Sequence, residues 1–296
     1  MFKLKLKVAI GDSTSTGLIK VYQNTVLVQS FTAHTAYIHR LKAIPNGMLV
    51  SAGDDSTAKI WNTTNWNLIS SYTGHSSGVV GLEYIDCDTL ASSSNDYTIK
   101  IWRIASGSTL LTISLSDIPK SLQLLSNGFL VSGQLAGGIS IWNYNTGALI
   151  RNLVGHTSEI SYILLLNSQV LSTSSGDMKT IIWNLTTGLP IYTLVGHTNQ
   201  VRGAAIISSS LIATGSYDFS AKIWNWNTGT LIRTLSGHTN KILRSLDLYS
   251  TDVLITGSYD TTVKLWQIST GILLQTINTG ISIYALTMLK DCKDIF

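Results

Sequence analysis

Short apolar stretches separated by turn residues recur along the whole chain, and none holds a 3.6-residue apolar period bounded by helix caps. Residues 197–237 show the pattern. Val201 to Ile207 reads as an extended strand, followed by a Ser208-Ser209-Ser210 turn. Leu211 to Gly215 reads as a second strand, and Tyr217-Asp218 opens a tight turn. Ala221 to Trp224 and Leu231 to Leu235 supply a third and a fourth, with Asn227-Thr228-Gly229 between them. The unit ends at Gly237-His238, where the next begins.

The same unit returns at a fixed spacing. Tryptophans fall at Trp61, Trp102, Trp142, Trp183, Trp224 and Trp266, spaced 41, 40, 41, 41 and 42 residues apart. Histidines fall at His34, His75, His156, His197 and His238, keeping step with the tryptophans at 27 residues in four repeats and 28 in the last. Gly107, Gly147, Gly188, Gly229 and Gly271 recur between the third and fourth strands, where a left-handed residue is predicted. Asn65 is predicted to take that role in the first unit, because Asn tolerates it next best.

Six such units leave both ends of the chain over. The N-terminal part supplies three strands, about 3–10, 17–23 and 25–31, with Leu18-Ile19-Lys20-Val21-Tyr22 matching Thr98-Ile99-Lys100-Ile101-Trp102. At the C-terminal end Ile281 to Leu289 matches a first strand. Three strands from one end and one from the other complete a seventh unit, and closing the ring removes exposed sheet edges.

A repeat of 40–45 residues with four strands, Gly-His near one end and Trp near the other resembles the WD-repeat family. The resemblance covers essentially the whole chain and implies an all-β, seven-bladed β-propeller, with four antiparallel strands per blade. It predicts one domain over 1–296, with blades at about 34–74, 75–114, 115–155, 156–196, 197–237 and 238–278, and a last one from 279–296 plus 1–33. The dipeptide that names the family is not kept: Asn follows the Trp in four units, Arg103 in one and Gln267 in another. Asn offers much of the same local hydrogen bonding as Asp.

The family's hydrogen-bonded tetrad carries over residue by residue. It implies His34, Ser51, Asp55 and Trp61, then His75, Ser92, Asp96 and Trp102. The fourth blade supplies His156, Thr173, Asp177 and Trp183, and the fifth His197, Thr214, Asp218 and Trp224. The sixth supplies His238, Thr256, Asp260 and Trp266. A Ser-His-Asp set invites a nucleophilic reading. A catalytic set is needed once, however, and five copies, three of them built on Thr, point to architecture. The third blade keeps only Ser132 and Trp142, with Leu115-Ser116 and Ala136 at the His and Asp places; the seventh has Tyr22 for Trp and no His.

What varies between repeats then carries the function. The resemblance implies partner binding on the wide face around the channel, through the residue before each tetrad Asp and two at the start of each innermost strand. Those positions include Tyr37, His39, Asp54, Lys120, Glu159, Arg202, Tyr217, Lys241, Tyr259 and Tyr284, together with Val80, Ser161 and Leu243. Tyr and Arg are common interface anchors, and an aromatic, basic rim suits acidic or phosphorylated peptides. Trp66 and Trp226, in outer turns, make a second, weaker patch.

Composition narrows the picture further. Charged residues are only 12 % of the chain while hydrophobic ones reach 44 %, so a large core is predicted with a surface built from Ser, Thr and Asn. A formal charge of +4, scattered along the chain, gives no basic patch for nucleic acid. No apolar run nears the roughly 18 residues that span a bilayer. Cys87 and Cys292 fall in equivalent loops of the second and seventh blades with the first between them, so no disulfide is predicted and a reducing compartment, cytoplasm or nucleus, is expected. No metal-ligand spacing or phosphate loop appears, so neither a cofactor nor a metal is expected. The reading is a non-catalytic, monomeric scaffold or adaptor for other proteins or peptides. The alternatives are an enzyme with a site at the channel mouth, or a nucleic-acid-binding module.

Overall fold

The computed structural model describes residues 7–12 and 15–289, and within them the regular structure is entirely β. Five four-stranded antiparallel sheets form the first five blades. In the fifth, Val201–Ile206, Leu211–Ser216, Ser220–Asn225 and Thr230–Ser236 pair in order from the channel outward, matching the elements read from residues 197–237. The second strand of each blade is buried along almost its whole length, while the fourth is mostly exposed. This gradient explains the sequence pattern: inner strands pack on both faces and read as largely small or apolar runs, and the outermost strand is the one that mostly meets water.

The seventh blade joins the two ends of the chain. Ile283–Met288 pairs antiparallel with Lys7–Asp12, which pairs with Leu18–Gln23 and then Val26–Thr32. The first of the N-terminal strands ends at Asp12 rather than near residue 10, and its predicted start at residue 3 lies outside the described residues. A single parallel bridge, Arg244 to Ala285, ties this blade to the innermost strand of the sixth, Ile242–Ser250.

Among the described residues the core is a ring of seven clusters, each shared by two neighbouring blades. Ala213, Ile223 and Leu235 of blade five pack on Ile242, Leu246 and Trp266 of blade six. Ile255 and Leu265 of blade six pack on Ile10 and Ile283 of blade seven. Ile19 and Val21 of blade seven pack on Ile38, Leu41 and Trp61 of blade one, which closes the circle. Burial of this kind contributes about 25 cal/mol per Å² of apolar area, and every blade receives it on both sides.

Two turns show how packing overrides local preference. The five glycines between third and fourth strands take positive φ as predicted. In the first blade, however, the left-handed residue is Trp66 (φ 62°), not Asn65. The Trp66 N–H donates to Asn62 O, its ring lies 5.7 Å from that of Phe31, and Lys7 Nζ stands 5.6 Å over it. The ring contacts offset the cost of a left-handed residue with a side chain. The Asn after four of the tryptophans behaves as expected: Asn62 Oδ1 accepts from Thr64 N at 2.7 Å and Asn184 Oδ1 from Thr186 N at 2.8 Å.

Candidate protein-binding face

All five predicted tetrads are assembled. His Nδ1 lies 2.7–2.9 Å from the Asp carboxylate in blades one, two, four, five and six. His Nε2 lies 2.7–2.9 Å from the Ser or Thr hydroxyl. The Trp indole N–H donates to the same hydroxyl at 2.7–2.9 Å. Indole can only donate, so the hydroxyl accepts from it, and the hydroxyl's own O–H is free to donate onward to Nε2 with Nδ1–H donating to the carboxylate. Each tetrad thus links the Trp indole to the Asp carboxylate through the hydroxyl and the imidazole. The Asp also accepts the backbone N–H that follows the His, as at Thr198 N (3.1 Å), and so anchors the loop entering the blade.

Electrostatics follow from this geometry. Burial alone raises the pKa of Asp218 and Asp260, but their bonds from His197 and Ser220, and from His238 and Thr262, outweigh it and hold both far below the carboxylate range. Burial pulls His34 and His75 below the ordinary histidine value despite the neighbouring carboxylates. Ser51, Ser92, Thr173, Thr214 and Thr256 are each 0 % exposed, so no substrate reaches these hydroxyls. The Gly before His has its own cause: a Cβ at Gly74 or Gly155 would stand 2.8 Å from the indole of Trp102 or Trp183.

Blade three departs as predicted, and the vacancy is refilled. Gln134 Nε2 donates to Ser132 Oγ (3.2 Å) and to Ser140 Oγ (2.9 Å), while Trp142 keeps its bond to Ser132. Asp117, on the entering loop, accepts from Ala136 N at 2.7 Å, the reverse of the usual arrangement. A cavity of about 480 Å³ remains beside Gln134, Leu115 and Trp142. In blade seven the Tyr22 hydroxyl donates to Thr279 O at 3.2 Å.

The variable residues meet around the channel on the face that carries the inter-blade loops. His39 Nε2 is 2.6 Å from Asp54 Oδ1, and the His39 ring stands edge-on to Tyr284 at 5.3 Å. Tyr284 contacts Tyr259 at 6.3 Å, continuing the circuit into blade six. Lys241 and Arg202 both lie over the Tyr217 ring, at 4.5 and 5.0 Å, and Arg202 donates to Glu159. Lys120 Nζ donates to Asn95 Oδ1 at 2.7 Å. Burial raises the pKa of Glu159, but Arg202 and Arg244 outweigh it and keep the group ionised; the bond from His39 lowers that of Asp54. Tyr37 stands apart from this circuit, 44 % exposed at its edge.

Several expectations are corrected here. Val80, Ser161 and Leu243 are buried and do not line the mouth. Leu243 is displaced because the sixth repeat holds one residue more between Ile242 and Leu246 than the fifth holds between Val201 and Ala204, and the irregular strand turns Arg244 toward the channel instead. Trp226 is buried between blades four and five with Ile182, Leu194 and Ile212, so it forms no outer patch. Cys87 is an exposed free thiol, whereas Cys292 lies outside the described residues.

The structure adds residues that the repeat comparison passed over. The position just after the tetrad Asp is left-handed in every tetrad blade, at Ser56, Tyr97, Met178, Phe219 and Thr261. Three of these carry large apolar side chains, and Tyr97, Met178 and Phe219 are 48, 46 and 42 % exposed. A bulky non-glycine residue at positive φ is a strained choice that invites a functional cause. Together with Tyr37 and Leu135 they place an exposed apolar side chain on this face in each of blades one to five. The signal was present in the sequence as large residues at a turn position that favours Gly, Asn or Asp.

A family model described as WD domain, G-beta repeat matches residues 25–62, 66–103, 188–225 and 229–267, slightly more than half of the chain. The chain belongs to the WD-repeat family. Each matched WD repeat contains the outermost strand of one blade and the inner three of the next, which is why the matches end just past Trp61, Trp102, Trp224 and Trp266. Residues 104–187, which include the tetrad-poor third blade, lie outside the matched repeats. No curated protein matches this WD-repeat chain. WD-repeat domains generally mediate protein–protein interactions, and the family is typically a non-enzymatic scaffold.

Proposed function

We propose that this propeller is a non-catalytic scaffold or adaptor that binds partner proteins or peptides on the loop face around its channel. The observation that carries the reading is the set Tyr97, Met178 and Phe219, held at positive φ and exposed although their backbone favours smaller residues. The tetrads spend the repeated Ser, His and Asp on framework, which leaves specificity to residues that do not repeat.

The partner surface that fits best is an apolar segment flanked by acidic or phosphorylated residues. The aromatic and apolar side chains of the turns supply anchors, and Lys120 and Lys241 supply charge. Arg202 contributes less than its charge suggests, since Glu159 already accepts from it. Two cysteines, one an exposed free thiol, favour work in a reducing compartment such as the cytoplasm or nucleus.

Affinity capture with the wild type and with a Tyr37→Ser/Tyr97→Ser/Phe219→Ser variant tests the reading, with melting compared first. Proteins retained by the wild type and lost from an equally stable variant are loop-face partners. Identical sets overturn the proposal.

A further inference from the structure

A chamber of about 410 Å³ lies inside the ring, walled by the innermost strands of all seven blades. Its inner end is closed by Arg244. That side chain reaches across the channel from blade six and donates to Val80 O of blade two and Lys120 O of blade three, at 3.1 Å each. From there the chamber runs along the strands past Arg40 and Tyr162 to Lys42, Gln123 and Ile206, toward the face opposite the loops.

Its charges are unevenly satisfied. Lys42 and Glu83 pair at 2.5 Å, and Asp247 accepts from Met288 N (2.9 Å) and Leu248 N (2.8 Å). Arg244 has its two carbonyls and lies 3.9 Å from Glu159. Arg40 has none of this. Its guanidinium lies 4.6 Å from the centroid of the Tyr162 ring, and among the described residues no hydrogen-bond acceptor reaches it. Burial, with the like charge of Arg244 behind it, lowers its pKa to about 10, so it remains a cation at neutral pH. Five N–H donors of a half-buried charged group thus face this open-ended chamber without a protein hydrogen-bond partner, where an anion or water completes them.

We infer that this chamber is an anion site, in which Arg40, placed over the Tyr162 ring, donates in bidentate fashion to a phosphoryl-type oxyanion. The planar fork of Arg matches two oxygens of such a group, and the contact with the Tyr162 ring restrains the fork in advance. Arg244 roofs the site with positive charge, and the volume admits a free phosphate or a small phosphate ester. The site is separate from the loop-face reading, because the Arg244 bar divides the two.

Binding of inorganic phosphate, followed by calorimetry and by melting temperature at constant ionic strength, tests the assignment on the whole chain. Phosphate is expected to bind the wild type and raise its melting temperature, while chloride at equal ionic strength does not. Arg40→Gln is expected to bind phosphate at least tenfold more weakly. Without phosphate it should melt at or above the wild type, because it removes a charge without a hydrogen-bond partner. Substituting a phosphoserine peptide for phosphate separates the sources: a chamber that takes only free anion or small ester leaves the peptide's affinity unaffected by Arg40→Gln. Absence of phosphate binding, or equal affinity in Arg40→Gln, overturns the inference. The loop-face variant is expected to bind phosphate like the wild type, so failure of one proposal is distinguishable from failure of the other.

Discussion

In the third blade Gln134 Nε2 stands 3.2 Å from Ser132 Oγ, the hydroxyl that in five other blades meets an imidazole. An amide in that place donates to the hydroxyl without linking it to a carboxylate on the opposite loop, and its own Oε1 is buried without a partner. The entering loop is held instead by Asp117 and Ala136 N, and a cavity remains beside it. Native-state hydrogen exchange should show the consequence. Amides of Phe129–Gln134 and Ile139–Asn143 are expected to exchange about tenfold or more faster than those of Leu211–Ser216 and Ser220–Asn225. Equal protection in the two blades would show that Gln134 replaces the tetrad fully.

Asp218 accepts from His197 Nδ1, Thr198 N, Ser220 N and the Ser220 hydroxyl, at 2.7–3.1 Å. Asp218→Ala strips all four donors at a largely buried place, so a loss on the order of 2–4 kcal/mol is expected in denaturant unfolding. The matching change at Ala136, to Gly, should cost far less. A loss at Asp218 of under about 0.5 kcal/mol, a typical surface effect, would remove the tetrad from the account of stability.

The tetrads also set the response to acid. His34 and His75 have pKa values below their ordinary one, so the unfolded chain binds protons first as pH falls. Their stability contribution is complete above the ordinary histidine pKa, about 6.5, and declines as pH falls below it. Asp55, Asp218 and Asp260 are also shifted downward, so theirs is complete above the ordinary carboxylate value, about 3.9, and is lost below it. Melting temperature is therefore expected to fall in two stages between pH 7.5 and pH 3, the shallower stage first. His34→Gln should diminish the first stage. A melting temperature that rises as pH falls from 7 to 5 would contradict the neutral imidazoles.

Phe219 sits at φ 68° with an exposed ring, a position where glycine carries no Cβ cost. Phe219→Gly is expected to leave stability unchanged or raise it by up to about 1 kcal/mol, while weakening partner capture. The same holds for Tyr97 (φ 66°). A clear loss of stability in either variant would show that the ring packs for structure rather than for binding.

Much of the framework was legible because it repeats. The period marks the tetrad histidines and tryptophans and the paired termini, and the family resemblance implies the Ser/Thr and Asp that complete each tetrad, since each blade solves the same packing and hydrogen-bonding problem. What was illegible breaks the period or crosses the ring. Trp66 takes the left-handed place because Phe31 and Lys7, from another blade, cover its ring. One extra residue in the sixth repeat moves Arg244, rather than Leu243, into the channel. Its bonds to Val80 and Lys120 join residues 164 and 124 positions away, a relation that no local pattern encodes. The pairings among the proposed rim residues were also illegible, so Arg202 looked freer than Glu159 leaves it.

The central claim is that function rests on the loop face and on residues that escape repetition. It is tested most directly by measuring the affinity of a captured partner for three proteins in parallel: wild type, Tyr37→Ser/Tyr97→Ser/Phe219→Ser, and Leu189→Ser/Ile272→Ser. Leu189 and Ile272 are comparably exposed, at 64 and 59 %, but lie beside turns between third and fourth strands, on the opposite face. The account predicts that the first variant binds at least tenfold more weakly with unchanged melting, while the second binds like the wild type. Undiminished binding by the first variant, with loss in the second, would contradict it.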